Sequence, residues 1–147
     1  MNWKKEAADK LRNYTARQQA VTNISEQLRS LEIKATSIRS ASVDGTPVQG
    51  GGSGREDAML NNIVNRAELE RQLEQARIWC RTVERALSVL TDQERLVLDR
   101  FYIHPAKGNL DRLCQEFDAE VATVYRKRDA ALHRFTIALF GFDEYRK

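Results

Sequence analysis

Apolar residues recur at helical spacing from Trp3 to Ile38. Leu11, Tyr14, Val21, Leu28, Leu31, Ala35 and Ile38 follow one seven-residue repeat, with Gln18 and Ser25 as polar interruptions and Ile24 beside it. No proline or glycine breaks the run, which predicts a single long helix. The pattern then stops in SASVDGTPVQGGGSGRED, which reads as a flexible linker over positions 40–55. A second long helix is predicted from near Glu56. Its later part carries the cleaner heptad: Leu69, Leu73, Ala76, Cys80, Val83, Leu87 and Leu90, stepping four and three. Its earlier apolar residues, Leu60, Ile63, Val64 and Ala67, lie on a stripe rotated from that seam, so packing is expected to shift partner along the helix.

Two helices with one apolar stripe each cannot stand alone in water. An antiparallel hairpin, doubled into a four-helix dimer, is the simplest way to cover both stripes. The linker could reach roughly 55 Å when extended, which leaves a parallel arrangement open. Residues 1–90 are therefore expected to oligomerise or to dock a partner, with a homo-oligomer favoured.

The pattern changes again after Leu90. LTDQERLVLDRFY and NLDRLCQEFDAEVATVYRKRDAALHRF read as three short helices, the second and third separated by a few residues. Thr91 and Glu94 form a capping box ahead of Leu96, Val97, Leu98, Phe101, Tyr102 and Ile103. His104-Pro105 ends that helix. Asn109 stands where an N-cap is needed for the next, whose Leu110, Leu113, Cys114 and Phe117 face inward. After Asp118-Ala119-Glu120 comes a helix from Val121 to about Phe135. The class is thus all-α, a long helical hairpin followed by a trihelical helix-turn-helix domain over 91–147, a device that seats its last helix in the major groove.

Helical geometry sorts that last helix into faces. Val121, Val124, Ala131 and Phe135 share an inward face, with Leu132 beside it. Ala122, Arg126, Asp129 and His133 lie opposite, flanked by Thr123 and Tyr125. The first turns of a recognition helix reach base edges, which nominates Ala122, Tyr125 and Arg126. Arg126 suits a bidentate pair with guanine, and Ala122 a thymine methyl. Thr123, Lys127, Arg112 and Arg134 suit phosphates, which fix register without reading sequence.

Charge tempers this reading. Residues 1–90 hold 14 basic and 11 acidic side chains, and residues 91–147 hold 10 of each. A neutral head has little sequence-independent affinity for DNA, so protein-protein docking by the head is a live alternative. Other chemistry is poorly supported. GGGSG has no following Lys and no preceding strand, so it is not a phosphate loop. His104, His133, Cys80 and Cys114 lack metal-ligand spacing, and the cysteines read as reduced thiols. Trp3 and Trp79 are expected in helix seams. No nucleophile and base can be paired, so neither an enzyme nor a cofactor is expected. IALFGF is too short to span a bilayer and MNWKKEAADK lacks the apolar core of a secretion signal, which points to a cytoplasmic protein.

Residues Leu90 to Leu132 resemble region 4 of bacterial sigma factors. The family's Leu-(Thr/Ser)-x-x-Glu-Arg-x-Val-Leu opening is similar to Leu90, Thr91, Glu94, Arg95, Val97 and Leu98, and its Tyr before the loop matches Tyr102. Its later Ser-x-x-Thr-Val and terminal Ala-Leu match Glu120, Thr123, Val124, Ala131 and Leu132. That match implies base reading by Val121, Ala122, Tyr125 and Arg126. Asp118 replaces the usual turn Gly, Glu120 the usual Ser and Arg128 the usual inward apolar residue, departures that bear on specificity more than on fold. Over nearly the whole chain, the order of elements resembles small phage regulators of the ArpU and RinA-like families. The resemblance implies a DNA-binding activator of late phage genes, acting in the bacterial host cell with RNA polymerase as partner. A phage DNA-packaging subunit of small-terminase type is the related alternative, and a helical adaptor that binds no DNA the other.

Overall fold

The computed structural model of the chain describes residues 2–43 and 52–141, all of whose regular structure is helical. Helix α1 spans Trp3–Val43 and α2 spans Gly52–Ser88. Helix α3 spans Asp92–Leu98 and runs into a π-helical turn, Asp99–Ile103. Helices α4, Asn109–Phe117, and α5, Val121–Phe140, complete the order. The expected linker is thereby shortened from both sides. Ser, Ala and Val at 40–43 have ordinary helix propensities, and Gly52 and Gly54 sit in a first turn, where their cost is small. The remainder of the linker, 44–51, lies outside the described residues. No described helix is long and apolar enough to cross a membrane.

The chain divides into two compact units, Met1–Arg17 with Trp79–Lys147, and Gln18–Ile78. In the second, α1 and α2 run in opposite directions: Gln27 lines a groove with Leu69, while Ile38 lines another with Ala58. The α1 stripe packs as its repeat predicts, with Leu28 and Ala35 buried and Val21, Leu31 and Ile38 half-buried. In early α2 the seam with α1 does not run along the apolar stripe. Met59, Asn62, Arg66, Leu69, Leu73 and Ala76 are the buried or half-buried positions, an unbroken alternation of three- and four-residue steps. Leu60, Ile63, Val64 and Ala67 therefore do not change partner within the chain but face outward, because the heptad phase is set by the longer apolar run that follows. Asn62 is only 5% exposed, yet its polar atoms are satisfied: the amide donates to the Leu31 carbonyl (2.9 Å) and accepts from Arg66 Nε (2.8 Å).

The first unit is built around Phe135, which is fully buried. Ala7, Ala8 and Leu11 of α1, Val83, Ala86 and Leu90, Leu98 of α3, and Ala131 and Leu132 of α5 join it in one cluster. Two consecutive alanines let α1 approach closely, and Ala7 continues the α1 repeat four residues before Leu11. Here too α1 and α2 are antiparallel: the Tyr14 hydroxyl donates to Glu84 Oε1 (2.6 Å) and Arg17 lies 5.2 Å from the centre of the Trp79 ring. Burial and the Glu84 carboxylate hold the Tyr14 hydroxyl well above the usual phenol pKa. Both tryptophans pack in seams as expected, Trp3 against Phe140 with ring centres 5.0 Å apart, and Trp79 half-buried against the cluster.

Candidate nucleic-acid interface

The capping box forms as its residues predict. Glu94 N–H donates to Thr91 Oγ1 (3.2 Å) and Thr91 N–H to Glu94 Oε1 (3.0 Å). Arg95 turns back to the carbonyls of Leu87 and Leu90, filling acceptors that the end of α2 leaves open. Beyond Leu98 the helix widens. His104 N–H donates to the Asp99 carbonyl five residues back (2.7 Å), so Asp99–Ile103 form a π turn in place of the α-helix expected there. Asn109 stabilises this turn and is not the predicted N-cap. It is 7% exposed, and its amide donates to the carbonyls of Arg100 and His104, both at 3.0 Å. Gly108 takes the cap position at φ +86°, a conformation that glycine adopts without a Cβ clash.

Three residues separate α4 from α5. Asp118 has φ +47° and ψ +54°, and the N–H groups of Asp118 and Ala119 return to the carbonyls of Gln115 (3.3 Å) and Cys114 (3.0 Å). That left-handed residue reverses the chain immediately after α4. Glu120 then caps α5 with extended backbone and no side-chain hydrogen bond.

Helix α5 presents one buried and one open side. Val124, Ala131, Leu132 and Phe135 are buried as their spacing predicts. Val121 is not, at 43% exposed: it starts the helix beyond the packed part of the inward face. Ala122, Tyr125 and Arg126 are exposed with it, so the four nominated base-reading residues share the open side of the first two turns. Among the described residues, Arg126 enters no ion pair or ring contact.

Tyr125 is braced from behind. Its ring lies 6.0 Å from that of Phe101, and the Arg128 guanidinium sits 4.7 Å from the Tyr125 centre and 5.1 Å from Phe101. Arg128 also pairs with Asp129 (3.0 Å), so the cation at an inward position is half-covered by ring faces and a carboxylate. Arg12 stacks on Tyr102 at 5.2 Å, and burial pushes the Tyr102 hydroxyl pKa up. The π turn is what delivers Phe101 and Tyr102 to this cluster; no apolar repeat signals it.

The phosphate candidates are dispersed. Arg134 is held by Glu94 of the capping box and points its other nitrogen at the Val89 carbonyl (3.5 Å). Lys127 lies 5.3 Å from the Phe117 ring and lines a cleft of about 200 Å³ with Thr91, Gln93, Glu94, Val97 and Ala130. Arg112 is exposed and donates to Asn109 Oδ1 (3.3 Å), while Thr123 is half-buried in the first turn of α5. Arg112 and Thr123 thus belong to the two helices around the turn, whereas Arg134 is engaged toward α3. No protein-family model matches the chain, and neither a curated protein nor a solved structure shows significant similarity to it.

Proposed function

We propose that the protein is a sequence-specific DNA-binding transcriptional regulator, an activator of phage late genes. One observation carries the reading: α4, a three-residue reversal at Asp118 and α5 leave Val121, Ala122, Tyr125 and Arg126 together on the open side of the first turns of a 20-residue helix. Those are the turns through which a recognition helix reaches base edges. In this scheme α4, the turn and α5 form a helix-turn-helix on a hairpin of α1 and α2. Arg126 pairs with guanine, Ala122 meets a thymine methyl, and Tyr125 is kept from collapsing by Phe101 and Arg128. Arg112 and Thr123 contact phosphates on either side. Two copies read two half-sites, while α3 or the hairpin contacts RNA polymerase.

The equal numbers of acids and bases in 91–147, with Arg134 already committed to Glu94, favour a second reading in which the head docks a protein. A footprint of the full chain upstream of the phage late genes, repeated over a salt series, separates the two. A discrete protected site that survives moderate salt is expected. Protection that is absent, or spread evenly and lost with modest salt, selects the docking reading. In the same assay Arg126→Ala costs about 1–3 kcal/mol at the specific site and relaxes one base position. An equal loss on random DNA removes Arg126 from base reading.

A further inference from the structure

The compact unit that carries α5 also includes Met1–Arg17 of α1. Those first residues hold five basic and two acidic side chains, so they bring positive charge to a head whose residues 91–147 are neutral. Helical geometry divides the cations between two flanks of α1. Ala7, Ala8 and Leu11 point into the core around Phe135. Lys10 and Arg17, seven residues apart, lie on one side of that stripe, and both sit over the Trp79 ring of α2, at 5.5 and 5.2 Å. Lys5 and Arg12, also seven apart, lie on the other side and are exposed.

That second flank adjoins the open side of α5. Arg12 stacks on Tyr102 at 5.2 Å, Tyr102 lies 6.4 Å from Phe101, and Phe101 lies 6.0 Å from Tyr125. Burial raises the Tyr102 hydroxyl pKa, while the charges of Arg128 in α5 and Arg12 in α1 both draw it down. Asp129, on the outward line of Ala122 and Arg126, acts on the same hydroxyl. Three short ring contacts thus join Arg12 to Tyr125, which puts the guanidinium in reach of the backbone bordering a major groove about 12 Å wide. Neither cation is used up by its neighbours. The ion pair of Arg12 with Asp9 takes Nη1 (2.8 Å), and both side chains are about half exposed, so the other guanidinium donors can serve a phosphate. Among the described residues, Lys5 enters no ion pair.

We propose that Lys5 and Arg12 form a phosphate clamp, through which α1 holds the DNA backbone beside the groove that α5 reads. The clamp supplies the sequence-independent attraction that residues 91–147 lack by themselves. This role presupposes that α5 binds DNA, and it makes α1 part of the interface.

Fluorescence anisotropy of the full chain over a salt series tests the clamp, with the footprinted duplex and a random duplex of equal length as probes. Arg12→Gln and Lys5→Gln are each expected to lower the slope of log K against log salt by about one, equally on both probes, with the preferred base sequence unchanged. Arg12→Lys should keep the native slope, because an ammonium serves a phosphate as a point charge. Lys10→Gln, over Trp79 on the far flank, should keep it too. Lys5 is exposed and unpaired, so its variant reads the clamp even if Arg12→Gln disturbs the stack on Tyr102. Native slopes in both Gln variants, or an equal loss in Lys10→Gln, overturn the clamp and leave the DNA-binding reading of α5 standing. Arg12→Lys losing slope as Arg12→Gln does also overturns it, since the stack and not the charge would then be at work. A native protein that binds neither duplex overturns both the clamp and that reading.

Discussion

Asp118 is the non-glycine residue with a positive φ among those described, and it sits at the reversal that sets α5 against α4. A short polar side chain tolerates the left-handed region, where a branched one clashes with the following carbonyl. Asp118→Val is therefore expected to lower stability by about 1–2 kcal/mol, while Asp118→Gly stays at least as stable as native. Urea denaturation of the three proteins checks the order, and a Val variant as stable as native would refute the role given to this backbone. Arg128 is the other unusual residue at this scale. It reaches an inward position without burying a bare charge, because Phe101, Tyr125 and Asp129 surround its guanidinium. The exposure of Ala122, Tyr125 and Arg126 was legible from spacing, whereas that of Val121 was not. The bracing of Tyr125 was not, since it depends on a ring brought in from a different element.

At the scale of elements, helical periodicity located every helix, and the misjudgements lie at ends and phases. The run from Leu96 to Ile103 was expected to be uniform, but five residues of it are π-helical and pinned by Asn109. Asn109→Ala strips two carbonyls of their buried donor, for an expected loss of about 1–3 kcal/mol, read as a lowered thermal midpoint. Retained stability would mean that the π turn holds without its side-chain support. The stripe of early α2 is out of phase with the later heptad, as its spacing predicts, and within the chain it faces outward. Periodicity reports which residues share a face. It does not report which face meets the partner when two stripes compete on one helix.

At the scale of the molecule, the head does not own its core. Of the ten buried residues clustered around Phe135, six precede residue 91: Ala7, Ala8, Leu11, Val83, Ala86 and Leu90. A fragment of residues 91–147 is accordingly expected to melt without a cooperative transition, while the full chain melts cooperatively. A sharp calorimetric transition in the fragment would show that the remaining contacts suffice. By itself the sequence determined the all-helical class, the capping box at Thr91, the reversal near Asp118 and the inward residues of α5 from Val124 onward, since each follows from local spacing and backbone preference. Only the tertiary structure decided that Ala7 and Ala8 belong to the core around Phe135, that Arg134 pairs with Glu94 and that Leu60, Ile63 and Val64 face outward. Those outcomes turn on contacts between residues from 40 to more than 120 positions apart, or on which of two stripes wins a seam, and no local pattern carries that information.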